Sequence, residues 1–136
     1  MDVEFGNAGE LFTNDTGWFV GFSEWAKAGV GDRTELRFVP KEQRSQKLCV
    51  KWMFHPAGDD RGMVKPPSEG RTLSILASEA GLFRIQFSKH SDFPREETSE
   101  FRLERHGDFV VWGERLFHRW FVDADCTILT IRWIPS

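Results

Sequence analysis

Apolar and polar residues alternate along this chain in short runs. Gly, Pro, Asn and Asp interrupt the runs about every ten positions, a spacing that predicts an all-β sandwich or barrel. The clearest run is residues 47–55, KLCVKWMFH. Side chains of a strand point alternately to its two faces, so Leu48, Val50, Trp52 and Phe54 share one face and Cys49, Lys51, Met53 and His55 the other. Pro56 and Gly58 stop this strand, and residues 56–70, PAGDDRGMVKPPSEG, are dense enough in Gly and Pro to predict an irregular loop. Upstream, residues 17–22 (GWFVGF) and 35–39 (ELRFV, stopped by Pro40) predict strands, with one helical turn at 24–28 ended by the glycines of AGVGD. Downstream, 71–77 (RTLSILA) and 82–87 (LFRIQF) predict a hairpin around SEAG. A second loop covers 88–97, and strands follow at 100–105, 109–112, 117–122 and 126–133. No long run of helical period competes with them.

Several of these strands carry large residues on both faces. In RLFHRWF, His118 and Trp120 share one face, while Phe117, Arg119 and Phe121 share the other. A strand buried on one side only alternates more cleanly. One face is therefore expected to line a barrel interior and the other to meet a second sheet or a partner subunit. The whole chain, 1–136, reads as one domain: strands and loops at 1–46 and a barrel core at 47–136.

Composition narrows the function classes. Thirteen Phe and six Trp, with no Tyr, provide core material without disulfides or a structural metal. The net charge is −3, with Lys and Arg interleaved among Asp and Glu, so no nucleic-acid partner is expected. The two cysteines, Cys49 and Cys126, sit in apolar runs and read as reduced, buried thiols. The acidic N-terminus carries no apolar signal segment, and no stretch approaches the ~20 apolar residues that cross a bilayer. A soluble cytoplasmic protein with no membrane partner is expected. There is no Gly-x-Ser-x-Gly elbow and no phosphate loop.

Three segments, KWMFHPAGDDRG, RTLSILASEAGLFRIQF and HGDFVVWGERLFHRWFVDADCTILTIRWIP, resemble the cupin superfamily. Within it they look like a group of short bacterial single-domain cupin-like proteins. Some of that group carry a signal-peptidase label, an activity that needs a membrane anchor bearing a Ser/Lys pair and has no physical basis in these residues. The resemblance covers residues 47–136 and implies a double-stranded β-helix, the jelly-roll barrel. It also implies a divalent metal (Fe, Mn, Ni or Zn) held by an HxH pair and a Glu of a first motif and a His of a second. Pairing of such domains through sheet edges or strand exchange implies a homodimer. In this sequence Gly107, Asp108 and Gly113 match the second motif, and His118 falls near its ligand position. Gly81 matches the glycine of the first motif, but no histidine lies between His55 and Gly81, and Arg71-Thr72 stands near the place of the Glu.

Three readings of His118 follow. As a metal ligand it needs partners, and His55 with Asp59 or Asp60 are the candidates. In a metal-independent pocket, His55, His118, Lys51, Arg71, Trp120 and Arg132 bind a small anionic or aromatic molecule. There Arg grips a carboxylate or phosphate and Trp forms an apolar wall. As a core residue it bonds a backbone carbonyl, Arg132 pairs with Glu104 or Asp108, Trp52, Trp112 and Trp133 are core or interface aromatics, and Asp59, Asp60 and Arg61 form a charged turn. His90 and His106, beside charged residues in turns, read as solvated. The missing HxH favours a ligand-binding protein. A metal-dependent oxygenase, isomerase or lyase of a small acid is the alternative, so whether the chain is an enzyme stays open.

Overall fold

The computed structural model describes residues 2–13, 15–22, 36–39 and 44–135. The strands among them are β1 (Val3–Asn7), β2 (Gly21–Phe22), β3 (Phe38–Val39), β4 (Ser45–His55), β5 (Arg71–Leu76), β6 (Ala80–Ser88), β7 (Ser99–Arg105), β8 (Asp108–Trp112), β9 (Phe117–Ala124) and β10 (Cys126–Pro135). A 3-10 turn at Arg95–Glu97 interrupts the second predicted loop. The fold is all-β, as the alternation predicts. Of the N-terminal expectations, only Gly21–Phe22 and Phe38–Val39 form strands, as a short parallel pair. The helical turn at 24–28 lies outside the described residues.

Two antiparallel sheets face each other, one ordered β1-β8-β5-β10-β4 and the other β7-β6-β9. The core fills the space between them. Phe83, Ile85 and Phe87 project from one face of β6 and meet Leu76, Trp112, Val122 and Ile128 from strands of both sheets. The opposite face of β6 is polar: Arg84 bonds Asp123 and Glu100, and Gln86 bonds Glu100. This is the period-2 separation of apolar and polar side chains that a half-buried strand requires.

The predicted hairpin around SEAG does not form. β5 pairs with β8 and β10, and β6 pairs with β7 and β9. The turn carries the chain from one sheet to the other, so the apolar faces of both strands bury against each other instead of lying side by side. Gly81 makes the crossing possible. Its φ is +154°, and a Cβ there would stand 2.4 Å from Cys126 Cβ.

The outer face of the larger sheet is covered in part by the chain's own N-terminal segment. Leu73, Phe109 and Val111 are buried beneath Ala8, Leu11, Phe19, Val20 and Leu36, which is why β8 reads as an unbroken apolar run, buried throughout. That cover replaces the second sheet or partner subunit expected over this part of the face. β1 belongs to the same sheet, paired with β8. Trp112 is core at 2% exposed, but Trp52 is 68% exposed on β4 and is not core. Both thiols are free. Cys126 is buried and Cys49, also on β4, is exposed, contrary to the expectation of two buried thiols, because β4 is the edge strand. No helix among the described residues is long and apolar enough to cross a membrane.

Candidate functional site

β4 ends at His55, and the loop after it crosses to the smaller sheet. Gly58 N–H donates to Val122 O (2.7 Å), Trp120 N–H to Gly62 O (3.0 Å) and Lys65 N–H to His118 O (2.8 Å). Residues 58–65 thus run along β9 and tie the edge of one sheet to the edge of the other. Behind this closure lies a cavity of about 50 Å³.

Each wall follows from strand parity. β4 contributes Lys51, Met53 and His55; β9 contributes His118 and Trp120; β10 contributes Ile128, Thr130 and Arg132; β5 contributes Thr72 and Ser74; Trp112 of β8 and Phe83 and Ile85 of β6 complete it. Of the six pocket residues expected from sequence, the structure brings together His55, His118, Lys51, Trp120 and Arg132. Arg71 is not among them. It sits one position from Thr72 on β5, so its side chain leaves by the opposite face, and it lines a separate cleft with Asp2, Lys89 and Glu114. Sequence reasoning missed Thr72, Ser74 and Thr130. Their signal was two hydroxyl residues at alternate positions of RTLSIL, a polar stripe on an otherwise apolar strand.

The hydroxyls organise the cationic end of the cavity. Arg132 stands opposite Thr72 in the sheet register and donates from Nε to Thr72 Oγ1 at 2.8 Å. Ser74 and Thr130 share a hydrogen bond of 2.8 Å. The expected pairing of Arg132 with Glu104 or Asp108 does not occur. Asp108 instead accepts from Asn7 and from the backbone N–H groups of Glu104 and Arg105, closing the turn between β7 and β8.

The two cavity imidazoles differ. His55 is 4% exposed, and its Nδ1 stands 2.9 Å from Asp59 Oδ2. Arg61 donates to both oxygens of Asp59 and holds that carboxyl well below the usual range, so Asp59 is ionised and accepts the His55 Nδ1 proton. Burial pushes the His55 pKa down against the pull of Asp59. At neutral pH His55 is therefore neutral, with Nε2 as its acceptor. His118 carries no such support. Burial, and then the charges of Arg132, Lys65 and Lys51, push it down to about 4. Its Nδ1 and the indole Nε1 of Trp112 are buried with no protein hydrogen-bond partner. Burial, followed by Arg132 and Lys65, also lowers the Lys51 pKa.

Aromatic rings form the rest of the wall. Trp120 stacks on Phe83 at 5.2 Å and meets the His55 ring edge-on at 4.6 Å. Gly62 lies against it so closely that a Cβ would stand 2.2 Å from Trp120 O and 2.4 Å from its ring. Gly62→Ala is expected to lose about 1–3 kcal/mol of stability, measured by thermal unfolding, because the 58–65 loop must lift from β9. An unchanged midpoint would show that the loop does not close the cavity. His90 and His106 are exposed in turns, as expected, bonded to Glu97 and to Ser78 O.

No carboxylate lines the cavity. Asp59 is turned to His55 and Arg61, and Asp60 lines a groove outside, against β9. Among the described residues no group of three His, Cys, Asp or Glu converges. Two neutral imidazoles are one donor short of the three protein ligands that such a centre usually offers, and Lys51 and Arg132 beside them repel a divalent cation, so these residues do not fit one.

No protein-family model matches the chain, and no curated protein matches it by sequence. Solved structures do match. HEPD from Streptomyces albus, with 2-hydroxyethylphosphonate and Fe(II) bound, aligns with a TM-score of 0.51 and 14% identity over 65% of this chain and 18% of that one. Cobalt(II) HppE in complex with substrate aligns with a TM-score of 0.48 and 11% identity over 62% and 44%. The chain spans less than half the length of either. At such identity the likeness concerns the fold alone. The fold is cupin-like.

Proposed function

We propose that the protein binds a small anion in this cavity without a metal ion. One observation carries the reading: the cations Lys51 and Arg132 line the cavity with no carboxylate to neutralise them, and two further lining residues, Trp112 and His118, each bury a ring nitrogen that has no protein hydrogen-bond partner. A buried donor without an acceptor costs about 1–3 kcal/mol, which a bound oxyanion recovers. The charges that oppose a proton on His118 favour an anion beside it. Arg132, held by Thr72 through Nε, keeps its Nη groups for a planar two-point grip on a carboxylate or phosphate.

Size limits the ligand. At about 50 Å³ the cavity exceeds the ~10–15 Å³ of such space that one water needs and suits a small anionic head group. Lys51 and Arg132 are the exposed members, and the cavity opens beside them.

Calorimetry on EDTA-treated protein with acetate, inorganic phosphate and 2-hydroxyethylphosphonate tests this. Binding of at least one is expected, weakened ~10–100-fold by Lys51→Met and again by Arg132→Met, as for loss of a charge-assisted hydrogen bond. Absence of binding, or binding that appears only when Fe(II) is added, would overturn the proposal.

A further inference from the structure

Lys51 and Arg132 reach the cavity from neighbouring strands. Lys51 stands opposite Thr130 in the register of β4 with β10, and Arg132 lies two residues further along β10, on the same face. Diagonal neighbours of this kind are roughly 7–8 Å apart, within reach of two long side chains. Their surroundings differ. Arg132 is anchored through Nε to Thr72 Oγ1. The charges that bear on Lys51 are all cationic: Arg132 first, then Lys65 and Arg61. The other described lysines are placed elsewhere. Lys65 Nζ donates to Arg61 O at 2.9 Å, Lys47 pairs with Glu69, and Lys89 lines the separate cleft with Asp2 and Glu114.

We propose that Lys51 captures a small 2-oxo acid as a Schiff base while Arg132 holds its carboxylate, an inference that rests on the anion-binding reading above. The substrate class follows from the juxtaposition. A guanidinium grips a carboxylate at two points in its own plane. The atom bonded to that carboxylate is then presented to the neighbouring amine, and in a 2-oxo acid this atom is an electrophilic carbonyl carbon. The amine must be neutral to attack it. Burial, and then Arg132, Lys65 and Arg61, lower the Lys51 pKa, which is the direction that frees the lone pair. A lysine next to another cationic group is activated in this way. The neighbours that face it do not oppose the effect. His118 from β9 and His55 from β4 are neutral at pH 7, and Asp59 is tied to His55 and Arg61. Among the described residues no carboxylate lines the cavity.

The step balances without a metal or a redox partner. Lys51 Nζ forms a bond to the 2-oxo carbon as the C=O π pair moves to oxygen. Both amine protons pass to that oxygen, which leaves as water, and a C=N bond remains. The hydroxyl pair of Thr130 and Ser74, with Thr130 directly across from Lys51, offers hydrogen bonds to the departing oxygen. Water reverses the step and releases the acid.

Reductive trapping tests the proposal. Wild-type protein is incubated at neutral pH with pyruvate and cyanoborohydride, then read by intact mass and peptide mapping. One reduced pyruvyl group per chain is expected, on Lys51, at least ~10-fold above any other lysine. Acetate, which has the carboxylate but no carbonyl, should suppress the label, and acetone, which has the carbonyl but no carboxylate, should label Lys51 far less. Lys51→Arg keeps a cation there and removes the nucleophile, so its adduct should disappear. Should that variant fail to fold by circular dichroism, the wild-type map still decides the assignment. Label spread evenly over the lysines, or an adduct that persists in a folded Lys51→Arg protein, overturns the proposal. Acetate that binds by calorimetry without any Lys51 adduct from pyruvate overturns it and leaves anion binding standing. Label on Lys51 that acetate does not suppress, and that acetone gives as readily as pyruvate, overturns the carboxylate grip and the substrate class with it.

Discussion

Lowering the pH from 7 to 4 is expected to destabilise the protein by about 3 kcal/mol through His118 alone. The folded state keeps this imidazole neutral down to about 4, because burial and then Arg132, Lys65 and Lys51 oppose its proton. The unfolded chain takes that proton near 6.5. Between the two values the unfolded state binds the extra proton, so stability falls as the pH falls, by up to ~1.4 kcal/mol per unit, and above about 6.5 it is flat. His55, also lowered by burial, adds a loss of the same sign. Asp59 acts lower still: Arg61 holds its carboxyl well below the usual range, so its contribution is present above the unfolded carboxylate pKa and is lost only in stronger acid. Urea unfolding at a series of pH values measures the slope. His118→Gln should flatten the curve between pH 6.5 and 4 and leave the remainder from His55. A wild type and variant that fall in parallel would show that His118 is not the group responsible.

Trp112→Ala is expected to cost about 3–5 kcal/mol, the range for removing a large buried aromatic. Trp112 is 2% exposed, and its ring lies 5.0 Å from Phe87 and 5.2 Å from His118. Trp112→Phe keeps most of the packing and should cost about 1–2 kcal/mol. It also removes the buried indole N–H that has no protein partner. The two variants therefore separate stability from binding. The Phe variant should bind anion more weakly than the wild type while remaining folded, as read by calorimetry alongside denaturant unfolding. Unchanged anion affinity in the Phe variant would show that the indole does not contribute to the site.

Much of the fold was legible because alternation is a local property. The shared face of His118 and Trp120 follows from strand period alone, and the structure keeps it, with both lining the cavity. The shared face of Lys51 and His55 followed in the same way. Arg71 departs from the expected pocket because parity sets it beside Leu73 and away from Thr72, on the face that leads to the separate cleft. The mistaken hairpin has a different origin. A turn such as SEAG suits a two-strand connection and a crossover between sheets alike, and the choice depends on what each strand can bury against. The buried role of Asp59 was hidden because DDR reads as a solvated turn until His55 is brought above it.

By itself the sequence determined that the chain is all-β, where most of its strands lie, and which side chains share a face of each. These follow from chain geometry and from the free energy of burying apolar side chains, which act within a few residues of one another. Only the tertiary structure decided which faces meet. It set β5 across from β6 instead of beside it, made β4 an edge, and gathered His55, His118, Lys51, Trp120 and Arg132 around one cavity. It also left two buried nitrogens there without a protein partner. Such placements depend on contacts between residues far apart in sequence, and no local period records them.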